Sequence, residues 1–203
     1  MSYWEHRKPV HRARAVDVHK VARAAVALLD GGGVRAVTMR AVAGQVDVAP
    51  ASLYSRVDSV DDLFDLALDS ALGDDPAIAQ AIAGSDLDEL MLAYYRHLKQ
   101  HSWACRVIGM RAPRGPNYLR LSERMIVLLH ELGAADPLGA AYTLSNFAIG
   151  SAMTAPMSGD ERAAPVDPTV APHYARLHDE HHLDTEAIFT AGLTALRAQI
   201  EAP

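Results

Sequence analysis

The residues best suited to chemistry are few and scattered. Cys105 is the only cysteine among 203 residues, so neither an intramolecular disulfide nor a thiolate metal cluster can form. With Trp103 and Val107 nearby, it reads as a buried, inert thiol. Histidines 173, 178, 181 and 182 gather around Asp179 and Glu180. His178 and His182 stand four apart, so on a helix they share a face that suits a divalent metal. No third ligand is fixed, and solvated histidines beside a loop are the plainer reading. The remaining carboxylates fall mostly at helix starts, where capping accounts for them. The chain has no Gly-rich phosphate loop, nucleophile elbow, HExxH or CxxC. An enzyme is therefore not expected, and neither is a cofactor nor a resident metal.

The basic side chains are unevenly spread. Residues 1–60 hold nine Lys/Arg against five Asp/Glu, while residues 61–203 hold ten against twenty, for an overall charge of −6. A basic module on an acidic body suits a polyanionic partner, and the body repels that partner outside the intended footprint. Residues 1–14, with Arg7, Lys8, Arg12 and Arg14 beside His6 and His11, show no periodicity. They read as an extended basic arm able to enter a minor groove.

Helices must position these groups. Val18, Val21, Ala22, Ala25, Leu28 and Leu29 mark one helical face, ended by Gly31, Gly32 and Gly33. Thr38 is an N-cap for a short helix over Met39–Gln45, and Val46-Asp47-Val48 is a turn. Pro50 opens a third helix read as Ala49–Arg56. Asp58 or Ser59 caps a fourth, with Val60, Leu63, Phe64, Ala67 and Leu68 on one face and early aspartates at the positive end of its dipole. Further helices are expected near 86–101, 103–111, 117–132, 137–155, 170–181 and 185–201. A mobile loop is expected over 156–172, which holds four prolines. The fold class is expected to be all-α, with a helix-turn-helix in residues 1–60 and a larger helical body in 61–203. The third helix would lie in a major groove, anchored by Leu53.

The run TMRAVAGQVDVAPASLYSRVDSVDDLFDLAL resembles the N-terminal signature of the TetR family of transcriptional regulators, closely over 18–68 and more faintly through the body. That resemblance implies a repressor that grips double-stranded operator DNA as a homodimer and is released by a small-molecule inducer. It points Arg40 into the groove, where an arginine can donate two hydrogen bonds to guanine. Ala51 and Ser52 match base-touching positions, Tyr54 and Arg56 match phosphate contacts, and Thr38 is a further phosphate donor. A lysine that many relatives carry at the start of the fourth helix is missing at Asp58-Ser59-Val60-Asp61. The basic arm, with Arg12 and Arg14, is the expected substitute.

In the body, Tyr94 matches an aromatic that contacts drug in the tetracycline repressors. Met110-Arg111 occupies a corner of their pocket, and Arg124, Met125 and Asn146 come from helices expected to face inward. Val107 and Ile108 stand where those repressors place a magnesium-binding histidine. A different polycyclic or hydrophobic inducer is therefore expected. Ala141, Leu144, Ala148 and Ala152, with Phe189, Gly192, Leu193, Leu196 and Ile200, form stripes that are more often simply core, but two adjoining ones can pair two copies as a four-helix bundle. The competing reading is a dimeric DNA-binding regulator with no inducer. No apolar run reaches the roughly 18 residues needed to span a bilayer, and no signal-peptide pattern opens the chain; a cytoplasmic protein is expected.

Overall fold

A computed structural model describes residues 2–6, 16–180 and 183–200. Among these, twelve α-helices and three short 3-10 turns are present and no strand. Helix α1 (Val18–Gly32) begins where the Asp17 carboxylate accepts the His19 amide at 2.9 Å, satisfying a donor that the first turn leaves open. It buries Val21, Ala22, Ala25 and Leu29 and ends at Gly33, whose φ of 67° suits a residue without Cβ. Thr38 caps α2 (Met39–Gln45) by accepting the Ala41 amide at 3.0 Å. Asp47 takes φ 52° in the turn that follows, a conformation aspartate tolerates.

Helix α3 (Pro50–Leu53) is shorter than the span 49–56 expected from sequence. The chain turns through 54–56, with the Arg56 amide donating to the Leu53 carbonyl at 2.8 Å. That turn carries Val57 into the core at 0% exposure. Helix α4 (Val60–Gly73), capped by Ser59, is buried along most of its surface. It packs against α1 on one side and the body on the other.

Helix α5 (Pro76–Gly84) was not anticipated. Its start carries the ordinary signals: Asp75 accepts the Ala77 and Ile78 amides, and Pro76 takes the first position. The body continues with α6 (Leu87–Gln100), α7 (Trp103–Met110), α8 (Pro116–Glu131) and α9 (Pro137–Thr154). The expected loop over 156–172 is instead helical at its start, with a 3-10 turn at Ala155–Met157 and α10 at Ser158–Ala163. Pro156 sits in the first turn of that element, where its missing amide costs nothing. Then follow α11 (Pro172–Glu180) and α12 (Thr185–Ile200).

Helix α9 lies centrally, against α6, α8 and α12. Phe189 of α12 stacks between Tyr95 of α6 (centroids 4.2 Å) and Phe147 of α9 (5.3 Å). A Cβ at Gly192 would collide with the Phe147 ring. The stripe assigned to pairing is thereby corrected. Ala141, Leu144, Ala148, Ala152, Phe189 and Leu193 are buried within one chain, because α6 and α12 close over them. The outward apolar side chains include Leu138, Tyr142 and Met153 on α9 and Ile188 on α12, each more than half exposed.

The leading residues bring a second correction. Residues 2–6 are not part of an extended arm; Tyr3–Glu5 is a capped 3-10 turn that packs on α4, with Tyr3 2% exposed. Arg12 and Arg14, with the rest of 7–15, lie outside the described residues, as do His181 and, of the suggested metal pair, His182.

Candidate nucleic-acid interface and ligand cavity

The head presents a polar face built from α2 and α3. Leu53 is fully buried, which turns its neighbours outward: Ala51, Ser52 and Tyr54 are exposed, as are Thr38 and Arg40 at the start of α2. The Thr38 hydroxyl accepts an amide as a cap and keeps its own proton to donate. Arg56 departs from the expectation. It is 8% exposed, and its Nε donates 3.1 Å to the Val16 carbonyl, tying the entry of α1 to the exit of α3. Its charge thus secures the head rather than standing on the polar face beside Tyr54.

The head is held to the body at two places. Asp30, in the last turn of α1, accepts from Trp103 Nε1 at 2.6 Å and lies 2.8 Å from His101 Nδ1. The second place is α4, where three buried aspartates share one face at spacings of three and four residues. Asp62 accepts the Asp58 amide at 2.6 Å and lies 3.1 Å from His6 Nε2. Asp65 accepts from Ser2 Oγ (3.1 Å), the Tyr3 amide (2.8 Å) and Arg111 Nε (3.1 Å). Asp69 accepts the Asn117 and Tyr118 amides at 2.7 and 3.1 Å, capping α8. Burial pushes the Asp69 carboxyl above its ordinary range, against the pull of those amides. The helix dipole accounts for Asp61 and Asp62 in the first turn. The signal for more lay in the 62, 65, 69 spacing, which on a helix facing the core obliges each carboxylate to find donors.

A cavity of about 590 Å³ opens between the end of α7, the segment 111–114, α8 and α9. Met110, Arg111, Met125 and Asn146 line it, as the sequence suggested. Two other candidates lie elsewhere. Tyr94 is 1% exposed and sits behind Tyr118, its hydroxyl 3.2 Å from that of Tyr118; burial holds it well above the usual phenol range. Arg124 donates Nη2 to the Ser85 carbonyl at 2.8 Å, capping the end of α5, where a cation meets the negative end of the helix dipole. Tyr118 and Tyr142, which also line the cavity, were missed. Tyr118 is seven residues before Met125 and Tyr142 four before Asn146, so helical phase places each beside a residue already suspected. Cys105 is buried as expected, its thiol pushed up by burial.

Residues 85–202 match the family described as tetracyclin repressor-like, C-terminal domain. The chain belongs to the TetR family of transcriptional regulators. An HTH-type transcriptional regulator of Saccharopolyspora erythraea is 38% identical over 136 residues, covering 65% of this chain and 58% of that protein. The HTH-type transcriptional repressor DrrR1 of Streptomyces coeruleorubidus is 30% identical over 146 residues, covering 66% and 51%. The chain thus spans between half and three fifths of these curated relatives. In structure, the chain resembles the TetR family protein ActR of Streptomyces coelicolor in complex with (S)-DNPA. The match has a TM-score of 0.70 and 25% identity over 92% of this chain and 97% of that one. ActR in complex with actinorhodin gives the same TM-score at 24% identity, covering 91% and 96%. Among the described residues no helix is long and apolar enough to cross a membrane.

Proposed function

We propose that the chain is a homodimeric repressor that binds double-stranded operator DNA through α2 and α3. In this reading it leaves DNA when a hydrophobic or polycyclic ligand fills the 590 Å³ cavity. Residues 1–60 serve DNA, and 61–203 serve ligand and pairing. The observation that carries the reading is the joint exposure of Arg40, Ser52 and Tyr54 around a fully buried Leu53. That is the arrangement a reading head needs: an anchored helix with donors on its outer side. Arg40 reads bases, Tyr54 and Thr38 hold phosphates, and Ala51 and Ser52 approach base edges. The repressor sense is supported by DrrR1, and a polycyclic ligand by the ActR complex with actinorhodin.

Two half-sites require two heads, and Tyr142, Met153 and Ile188 are the proposed pairing face. Release follows from linkage, since a ligand that prefers one head spacing shifts the population toward it. The body reaches the head through the Asp30 contacts and through α4, so a change at the end of α7 reaches both. A regulator of this kind works in the cytoplasm. A gel-shift on DNA upstream of the protein's own gene tests the reading. A discrete complex that dissolves on adding a cavity-filling polycyclic compound is expected; a complex unaffected by every compound that binds the body would establish the inducer-free alternative.

A further inference from the structure

The 2–6 turn makes a contact that neither the reading head nor the cavity explains alone. Asp65 is its main anchor, accepting from Ser2 Oγ and the Tyr3 amide, with a side chain only 3% exposed. The same carboxylate takes the Nε of Arg111 at 3.1 Å, while Arg111 Nη1 lies 3.2 Å from Asp61. The turn is also fastened by His6, whose ring nitrogens lie 3.2 and 3.1 Å from Asp58 and Asp62, where the head ends and α4 begins. Arg111 is part of the cavity wall. Of the residues lining that cavity, two are arginines, 111 and 114, and none is a carboxylate. The lining thus combines two cations with the rings of Tyr118 and Tyr142, and the Arg111 charge is held by Asp65 and Asp61 until a competing anion enters.

We propose that the cavity takes an anionic aromatic ligand, a carboxylate or phenolate on fused rings, which draws Arg111 away from Asp65 and so frees the 2–6 turn from α4. The proposal rests on the ligand-responsive reading above. A buried carboxylate stripped of its counter-charge is costly, so Asp65 turns toward water and gives up the Tyr3 amide and the Ser2 hydroxyl. Tyr3 then leaves its site on α4, and His6 leaves Asp58 and Asp62. The junction of head and body loses a fastening each time the cavity fills. The leading turn is thus a reporter of cavity occupancy placed at the base of the reading head.

The chain has two tryptophans, and one of them, Trp4, belongs to the turn, its ring 5.1 Å from that of Tyr3. Protein carrying 5-fluorotryptophan gives two fluorine resonances, assigned with Trp4→Phe. The probes are anthraquinone-2-carboxylate and its neutral methyl ester. The carboxylate is expected to bind about tenfold tighter than the ester, and Arg111→Gln to erase that margin. At saturation with the carboxylate the Trp4 resonance moves toward the position it holds in ligand-free Asp65→Asn. Ligand-free Arg111→Gln, which keeps Asp65 and its other two donors, moves it the same way and serves where Asp65→Asn does not fold. A Trp4 resonance unmoved by the bound carboxylate, or unmoved by both substitutions, overturns the proposal. Equal binding of carboxylate and ester overturns the charge exchange while leaving a ligand-binding cavity; binding of neither removes the ligand-responsive reading with it.

Discussion

Arg40 and Arg56, both expected from sequence to touch DNA, occupy different surroundings. Arg40 stands exposed on the first turn of α2, while Arg56 is buried and bonded to the Val16 carbonyl. Replacing Arg40 by alanine is expected to weaken operator binding by about 10- to 100-fold, the worth of roughly 1–3 kcal/mol of base contact, with the melting temperature unchanged. Replacing Arg56 by alanine is expected to lower stability by about 1–2 kcal/mol through a lost hydrogen bond and lost packing. Thermal melts beside DNA titrations separate the two. From sequence, only the type and position of each arginine were legible. What separates them is the turn at 54–56, which shortens α3 and swings Arg56 inward. Helix length at that precision depends on tertiary packing of Val57, which no local pattern records.

At the scale of elements, α6, α8, α9 and α12 were readable to within a residue or two, from long apolar spacing bounded by Pro, Gly and Asp. Helix α5 escaped because its nine residues supply only about two and a half turns of pattern, although Asp75-Pro76 is a legible start. The aspartates of α4 escaped for a different reason: the dipole accounts only for Asp61 and Asp62 in the first turn, and nothing local assigns partners to Asp65 and Asp69. Their partners lie up to 63 residues away, and only the fold brings them together. Asp69→Ala removes the cap of α8 and is expected to cost about 1–3 kcal/mol, measurable by urea unfolding. Gly192→Ala forces Cβ into the Phe147 ring and is expected to cost about 1–3 kcal/mol by overpacking.

The contact of α5 with α6 adds a pH dependence. Burial holds the His97 imidazole below its ordinary value, although the hydrogen bond to Asp75 works the other way. Asp75 is held below the usual carboxylate range: burial raises it, but the bonds from His97 and the Ala77 and Ile78 amides prevail. In the unfolded chain His97 takes a proton near pH 6.5, an ordinary value, while the folded protein resists it. Stability therefore falls as pH drops through that value toward the folded pKa. The Asp75 contribution persists there and is lost only in stronger acid, below the ordinary carboxylate pKa. His97→Gln keeps a donor for Asp75 but cannot be charged. Its melting temperature is expected to fall less than that of the parent protein between about pH 7.5 and 5.5.

For the whole molecule, the charge asymmetry between residues 1–60 and 61–203 was plain from sequence, and the family signature pointed to the face on α2 and α3 that is proposed to read DNA. The cavity was only partly legible. Four of six candidates line it, but Tyr94 is hidden by Tyr118, and Arg124 serves as a cap. Both follow from how α5, α6 and α8 meet, which is a property of packing rather than of spacing. A ligand held at 100 times its dissociation constant is expected to stabilise the protein by about 2.7 kcal/mol. For a chain of this length that raises the melting point by roughly 5–10 °C, which a thermal-shift screen detects.

The central claim is that an exposed polar face on α2 and α3 reads DNA sequence. Fluorescence anisotropy with a labelled duplex from upstream of the protein's own gene, beside a scrambled duplex of equal composition, tests it most directly. The account predicts tight, salt-sensitive binding to the first, at least about 1,000-fold weaker binding to the second, and loss of most of that preference in Arg40→Ala. Equal affinity for both duplexes, unchanged by Arg40→Ala, would contradict it.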